Sequence, residues 1–176
     1  LRSHPSQANA ERSSRVAHLF FFAGLVAPSL VIVFYPGLTH LDALFGVHPL
    51  PLRPFFLITG IVLALPGAYL LLVSNRLLRV EGSGANAFNL TKHIVEGDIY
   101  RYTRNPMSLG YYLLSLGVGF MSGSTVATAA VLLGLVPAHV FFLRFFEELE
   151  LGLRFGESYR EYEQEVPFLI PRLPLG

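Results

Sequence analysis

The chain has 176 residues, of which 52% are hydrophobic and 14% charged, with a formal net charge of +1 and no cysteine. This is too apolar for an ordinary soluble domain, and a charge so close to zero argues against a nucleic-acid partner. Without cysteine there are no disulfides, thiolate metal sites or cysteine nucleophiles; the six histidines (His4, His18, His40, His48, His93, His139) include no pair at i, i+3 or i, i+4, so no metal site is expected.

Residues 1–15 are polar, carry Arg2, Arg12 and Arg15 against Glu11, and read as an N-terminal tail. The chain opens on leucine, as expected where the true start is missing or processed. Residues 16–35 contain no Asp, Glu, Lys or Arg, and about twenty apolar residues suffice to cross a hydrocarbon core of roughly 30 Å. That length exceeds a signal-peptide core, and no small-residue cleavage site comes after it. Pro28 inside the run is a predicted kink, tolerated in membranes. Residues 36–53 read as a loop whose charges are Asp42 and Arg53. Pro54 suits a first helical turn, and 54–74 is a second charge-free run, with Pro66 as another predicted kink.

Residues 75–104 are basic and polar, holding Arg76, Arg79, Lys92, Arg101 and Arg104 with a Gly82-Ser83-Gly84 break. From Asn105 to Leu143 no Asp, Glu, Lys or Arg occurs. Ser122-Gly123-Ser124 divides this stretch into a helical hairpin, 105–121 and 125–146. Gly110, Gly117, Gly119, Ala130 and Gly134 are expected to let those two helices approach closely. Residues 147–176 form a C-terminal tail, acidic and helix-favouring to Glu165 and closed by Pro167 and Pro171.

The predicted fold is therefore all-α: a polytopic membrane bundle of about four helices spanning 16–146, with a cytoplasmic helical tail after it. Five basic residues lie in 75–104 and one in 36–53. The positive-inside rule then puts the 75–104 segment and both termini in the cytoplasm.

Depth along the hairpin brings two motifs together. Arg104 precedes the turn by about twenty residues and Glu147 comes slightly further after it, so both lie roughly 30 Å from it, at the same rim. Asn105-Pro106 reads as an N-cap with proline at the first helical position, and a helix N-terminus offers free N–H groups to a carboxylate. Arg104 could add a bidentate contact. Glu147 or Glu148 could accept from hydroxyls or an ammonium, and Tyr100, Tyr102, Tyr111 or Tyr112 could stack on an aromatic base. A small zwitterionic ligand suits this set.

The same residues also suit a plainer reading. Asn105 can be only a cap, Arg101 and Arg104 can snorkel to headgroups, and Arg144 can pair with the Glu147-Glu148 step one turn away. His139, in an apolar helix, serves equally as a functional polar group or as a satisfied packing histidine.

The run Gly97-Asp98-Ile99-Tyr100-Arg101-Tyr102-Thr103-Arg104-Asn105-Pro106-Met107-Ser108-Leu109-Gly110 resembles the Gly-x-x-Tyr-Arg-x-x-Arg-(His/Asn)-Pro-x-x-x-Gly signature of the isoprenylcysteine carboxyl methyltransferase-like family, to which phospholipid N-methyltransferases are related. Glu147-Glu148-x-x-Leu151, Phe155-Gly156, Tyr159, Tyr162, Val166-Pro167 and Ile170-Pro171 resemble that family's ending in the same order. The resemblance implies an integral-membrane methyltransferase using S-adenosylmethionine, whose lipophilic acceptors enter from the bilayer.

Carried over residue by residue, the resemblance assigns Arg104, Asn105, Pro106, Glu147 and Glu148 to the cofactor, with Tyr159 and Tyr162 from the covering tail. Tyr100, Gly110 and His139 complete the predicted cofactor set, and Arg104 and Glu148 are placed nearest the chemistry. Asn105 stands where the prenylcysteine enzymes have histidine, Ser108 where many relatives have tyrosine, and Asp98 where proline is frequent. The acceptor is accordingly left as a carboxylate, a thiol or an amine, in a lipid or a small molecule. Two other classes compete: a non-enzymatic four-helix scaffold or transporter, and an NADPH-dependent sterol-reductase-like enzyme, whose chains are much longer.

Overall fold

The computed structural model describes residues 38–82 and 93–172, and the predicted N-terminal tail and first span at 16–35 lie outside them. Among the described residues every regular element is helical. Residues 36–53, expected as a loop, contain a short helix α1, Leu38–Leu44. Helix α2 is Arg53–Val80, longer at its C-terminal end than the 54–74 run because Asn75 to Val80 continue it past the charge-free part. A 3₁₀ turn at Asp98–Arg101 leads to α3, Pro106–Ser122. Gly123 then adopts the left-handed conformation (φ 74°) that ends the helix. Ser124 caps the next one, its side chain accepting from the Ala127 amide. That helix, α4, runs Thr125–Phe155. A break at Gly156 (φ 59°) separates it from α5, Glu157–Glu165.

Helices α2 and α4 are long and apolar enough to cross a membrane, with mean hydropathy of 2.3 and 2.2 over their best windows. On α2 the exposed side chains Phe55, Ile58, Val62, Leu65, Tyr69 and Leu72 recur at three- and four-residue steps, while Gly60, Gly67 and Ser74 are buried at steps of seven. A helix with its large apolar groups outward and its small ones inward is built for a lipid surround.

The small residues set the packing, but not in the pair of helices expected. Gly110 and Gly117 of α3 meet Gly67 and Gly60 of α2: a Cβ at Gly67 would lie 2.8 Å from the Gly110 carbonyl oxygen, and one at Gly60 would lie 2.6 Å from that of Gly117. Only Gly119 faces the hairpin partner, at Thr128, and Gly134 has nothing within 4 Å of its Cβ position. Small residues at helical spacing announce a close approach without naming the neighbour, and here the neighbour is α2.

Helix α4 is not uniform. Ala130–Leu135 and Leu143–Glu147 are π-helical. The first precedes Pro137, whose ring and missing N–H disfavour a regular i→i−4 ladder. The second immediately precedes Glu148; a π-turn inserts an extra residue and rotates the downstream side chains about the helix axis.

At the far end from the basic segment, buried Asp42 of α1 ties the hairpin turn. Its carboxylate accepts from Ser124 Oγ (2.9 Å) and from the amides of Thr125 (3.1 Å) and Val126 (2.8 Å). Tyr111, Tyr112, Val131 and Leu135 form the core between α3 and α4; Tyr159, Tyr162 and Val166 form a second cluster under the tail.

Candidate functional site

The site lies where α3 begins, at the level of the second π-segment of α4. Arg104, on the approach to α3, reaches Glu148 of α4 at 2.8 Å and Glu163 of α5 at 3.1 Å, with its side chain only 5% exposed. Glu148 also holds Arg144 at 2.5 Å, one turn away on its own helix. Two guanidinium groups and two carboxylates thus form a neutral network. Its electrostatic gain counts because the Arg104–Glu148 pair is screened from water, and removing one partner leaves a buried charge.

The contacts are close without being saturated. Arg104 Nε and Nη1 and Glu148 Oε1 are buried and lack an aligned hydrogen bond despite the short ion-pair distances. An open cleft of about 410 Å³ flanks the network, walled by Arg144, Glu148, Leu149, Gly152, Leu153, Tyr159, Arg160 and Glu163.

The chain after α5 closes the rim from the tail side. The Arg104 amide donates to the Pro167 carbonyl (2.9 Å), and the Arg172 amide to that of Tyr102 (3.2 Å). Buried Thr103 donates its hydroxyl to the Leu169 carbonyl at 3.0 Å. Asn105 occupies the N-cap of α3 and its carbonyl starts the helical ladder, but its side chain makes no cap hydrogen bond. Its amide Nδ2 donates instead to the Phe168 carbonyl at 3.0 Å. Residues 166–172 therefore act as a strap sewn to 102–105, with the Phe168 ring 5.1 Å from the Arg144 guanidinium.

The other predicted residues fall into three groups. Tyr159 and Tyr162 are buried and anchor α5, Tyr162 donating its hydroxyl to the Tyr100 carbonyl at 2.7 Å. Gly110 lies inside the α2–α3 seam and Pro106 is fully buried at the start of α3, so what both do visibly is packing. Tyr100, Glu147 and His139 line the bundle side. His139 meets the ring of Tyr112 edge-on at 5.4 Å and that of Tyr111 at 6.2 Å.

Three buried tyrosines report the electrostatics of the rim. Tyr100 is held well above the ordinary phenol range, first by burial, with the Glu147 carboxylate adding to the effect. Tyr159 and Tyr162 are also raised mainly by burial, then by the Glu148 carboxylate for Tyr159 and by the neighbouring tyrosines for Tyr162, with the Arg104 cation offsetting part of each. Glu147 thus acts on Tyr100, whereas Arg104 and its partners Glu148 and Glu163 act with opposite signs on Tyr159.

Glu163, Thr103, Phe168 and Ser74 escape a reading of the sequence. Glu163 is one helical turn from Tyr159, and Ser74 continues the seven-residue spacing of Gly60 and Gly67, which are the signals that point to them. The carbonyl contacts of the strap leave no side-chain signature.

The phospholipid methyltransferase family profile matches residues 55–158, more than half of the chain. Over 82 residues the chain is 37% identical to the protein-S-isoprenylcysteine O-methyltransferase of Schizosaccharomyces pombe, covering 46% of this chain and 34% of that one. Over 76 residues it is 32% identical to methanethiol S-methyltransferase 2 of Bradyrhizobium diazoefficiens, covering 43% of this chain and 27% of that one. The matches thus span about a third or less of either relative's length. The fold is similar to the solved structure of a eukaryotic intramembrane Ras methyltransferase, isoprenylcysteine carboxyl methyltransferase, with a TM-score of 0.50 and 19% identity, over 99% of this chain and 54% of that one.

Proposed function

The chain belongs to the phospholipid methyltransferase family, and from that premise we propose that it transfers a methyl group from S-adenosylmethionine to a lipophilic or small acceptor at the rim of its bundle. The observation that carries the reading is the meeting of Arg104 with the Glu147-Glu148 step across the α3–α4 hairpin, under a tail that is hydrogen-bonded in place. Relatives bearing methyltransferase names that differ in acceptor, a prenylated cysteine and methanethiol, support the reaction class while leaving the acceptor class open.

The residues present fit such a donor. Arg104 has a buried Nε donor without an acceptor, and its Nη1 is held only by the half-exposed Glu163, a pair of positions suited to an amino-acid carboxylate. Glu147 supplies negative charge on the opposite side, near Tyr100. When bound, the donor supplies an electrophilic methyl on a cationic sulfur, which an acceptor carboxylate, thiol or amine displaces in line.

The chain's own contribution is positioning and exclusion of water. Arg104, just before α3, and Glu148 of α4 fix the rim from either side, and Asn105 and Thr103 hold the strap over it. Tyr159 and Tyr162 fill the space beneath α5. Methyl transfer in line gains mainly from such orientation and from desolvating the nucleophile. An acceptor that is already anionic needs no general base; an amine acceptor would leave its proton to a carboxylate such as Glu147. The topology that accompanies this reading has about four crossings, both termini cytoplasmic, and the acceptor arriving from the bilayer.

The test is ligand-linked stability of the full chain in detergent. S-adenosylhomocysteine at about 100 times its dissociation constant should stabilise the fold by roughly 2.7 kcal/mol, read as a rise in melting temperature. Membranes incubated with methyl-labelled S-adenosylmethionine should yield a labelled product whose identity gives the acceptor. No heat, no shift and no labelled product would reject the proposal.

A further inference from the structure

Three buried polar side chains, Ser74, Tyr100 and Tyr112, converge with half-buried Glu147 just below the rim, and two of the hydroxyls lack partners. Ser74 of α2 is fully buried and Tyr112 of α3 is 4% exposed, yet neither hydroxyl has a hydrogen bond of proper geometry. Ser74 Oγ lies beside the Tyr100 hydroxyl without aligning to it, and Glu147 is within electrostatic reach of both Tyr100 and Tyr112. Burying a hydroxyl without a partner costs about 1–3 kcal/mol, so two such groups in one place are a feature to be explained.

Helix direction explains why they meet. Side chains lean toward the N-terminus of their helix. Tyr112 lies about 10 Å into the bundle from the start of α3 but leans up toward the rim. Ser74 and Glu147, near the rim ends of α2 and the apolar part of α4, lean down. His139 closes the lower side with its ring edge-on to Tyr112.

We propose that Ser74, Tyr112 and Glu147 form the bundle-side half of the donor site and receive the cationic, methyl-bearing sulfonium end of the donor, while Arg104 takes its carboxylate end. This rests on the methyl-donor reading above and adds an orientation and two contact residues to it. The chemistry selects an onium group. A carboxylate attracts the positive sulfur, the hydroxyl oxygens accept from the polarised C–H groups beside it, and the aromatic rings of Tyr112 and Tyr111 offer faces to a cation. A ligand carboxylate placed there would face Glu147 with no cation beside it; one placed at Arg104 meets the buried Nε donor, which has no acceptor, and can take over Nη1 from the half-exposed Glu163. The two ends of the site thus match the two ends of a zwitterion.

The orientation makes the site sensitive to the charge on sulfur. S-adenosylmethionine carries it and S-adenosylhomocysteine does not, so the two probes differ at the atom in question. Calorimetric titration of the detergent-solubilised full chain with each probe should show tighter binding of S-adenosylmethionine. Glu147→Gln should bring the ratio of the two affinities to near one. Tyr112→Phe and Ser74→Ala, which keep ring and backbone, should each weaken binding about 2- to 5-fold, the loss of one C–H···O contact.

The affinity ratio is taken on one preparation, so a partly unfolded variant does not distort it; Glu147→Asp serves as a second variant, with a ratio between the two extremes. A ratio unchanged in Glu147→Gln, or wild-type affinities in both hydroxyl variants, overturns this inference while leaving the donor reading in place. Binding of neither probe by the wild-type chain overturns both.

Discussion

Arg104 and Glu148, separated by the whole α3–α4 hairpin, meet at 2.8 Å with side chains 5% and 10% exposed. Because the pair is buried, removing one partner strands the other. Arg104→Gln or Glu148→Gln should each destabilise the fold by about 3–5 kcal/mol, whereas the double variant should cost clearly less than their sum. Thermal unfolding of the three variants in one detergent gives the coupling directly; additive losses would mean that the pair does not act as one.

Glu163 is the exposed member of the network, 43% accessible, and reaches Arg104 from α5. Solvent screening makes its loss cheap, under about 1 kcal/mol for Glu163→Gln. The same change frees a guanidinium donor, so the variant should bind S-adenosylhomocysteine several-fold more tightly than the wild type in a calorimetric titration. Weaker binding would place Glu163 among the ligand's own contacts.

The glycine seam predicts opposite outcomes for one kind of substitution. Gly67→Ala puts a methyl 2.5 Å from the Leu114 amide nitrogen and 2.8 Å from the Gly110 oxygen, so α2 and α3 must separate, at a cost of about 1–3 kcal/mol or more. Gly134→Ala meets nothing within 4 Å and should be neutral or stabilising by up to about 1 kcal/mol. Melting temperatures of the two variants should move apart.

Asp42 is the only carboxylate among the described residues of the segment before α2, and its two oxygens accept from three donors at the hairpin turn. Asp42→Ala leaves Ser124 Oγ and two amides without their acceptor. Hydrogen bonds to a charged group contribute about 1.5–3 kcal/mol each, with partial replacement by neighbours, so a loss of roughly 3 kcal/mol is expected. Asp42→Asn, which keeps one acceptor, should lose about half of that. Chemical denaturation of both variants in one detergent measures the two losses.

Alkaline pH should unfold the tail first. Tyr100, Tyr159 and Tyr162 all ionise well above their unfolded value of 10.0 when folded. Between the unfolded and folded values the native state holds more protons, so stability falls as pH rises. It is fully present below about pH 10 and lost above it. Tyr162→Phe should flatten that fall while giving up the hydrogen bond to the Tyr100 carbonyl, about 1 kcal/mol at neutral pH. A melting-temperature profile from pH 8 to 11 tests both effects.

The hairpin is legible in the sequence because its signals are additive: a charge-free run, a Ser-Gly-Ser break and a fixed rise per residue bring Arg104 level with Glu147 and Glu148. Arithmetic of this kind does not say which glutamate turns inward. That depends on the π-turn at Leu143–Glu147, a local departure from regular helix that no residue there announces. The glycines tell of close packing but not of their partner, since spacing repeats on both helices. Asn105 is placed correctly as a helix start and given the wrong bond: its amide serves Phe168, and a carbonyl acceptor sixty-three residues away carries no sequence pattern.

The strap at 166–172 also has a consequence in time. Its partners at 102–105 leave the ribosome some sixty residues earlier, and α3 and α4 can pair before it appears. Domains and hairpins form as they are synthesised, at about 5–20 residues per second. The strap follows Glu148 by only about twenty residues, so the rim passes through an interval of about 1–5 seconds in which Arg104 and Glu148 can meet but Thr103 and Asn105 lack the strap's carbonyls.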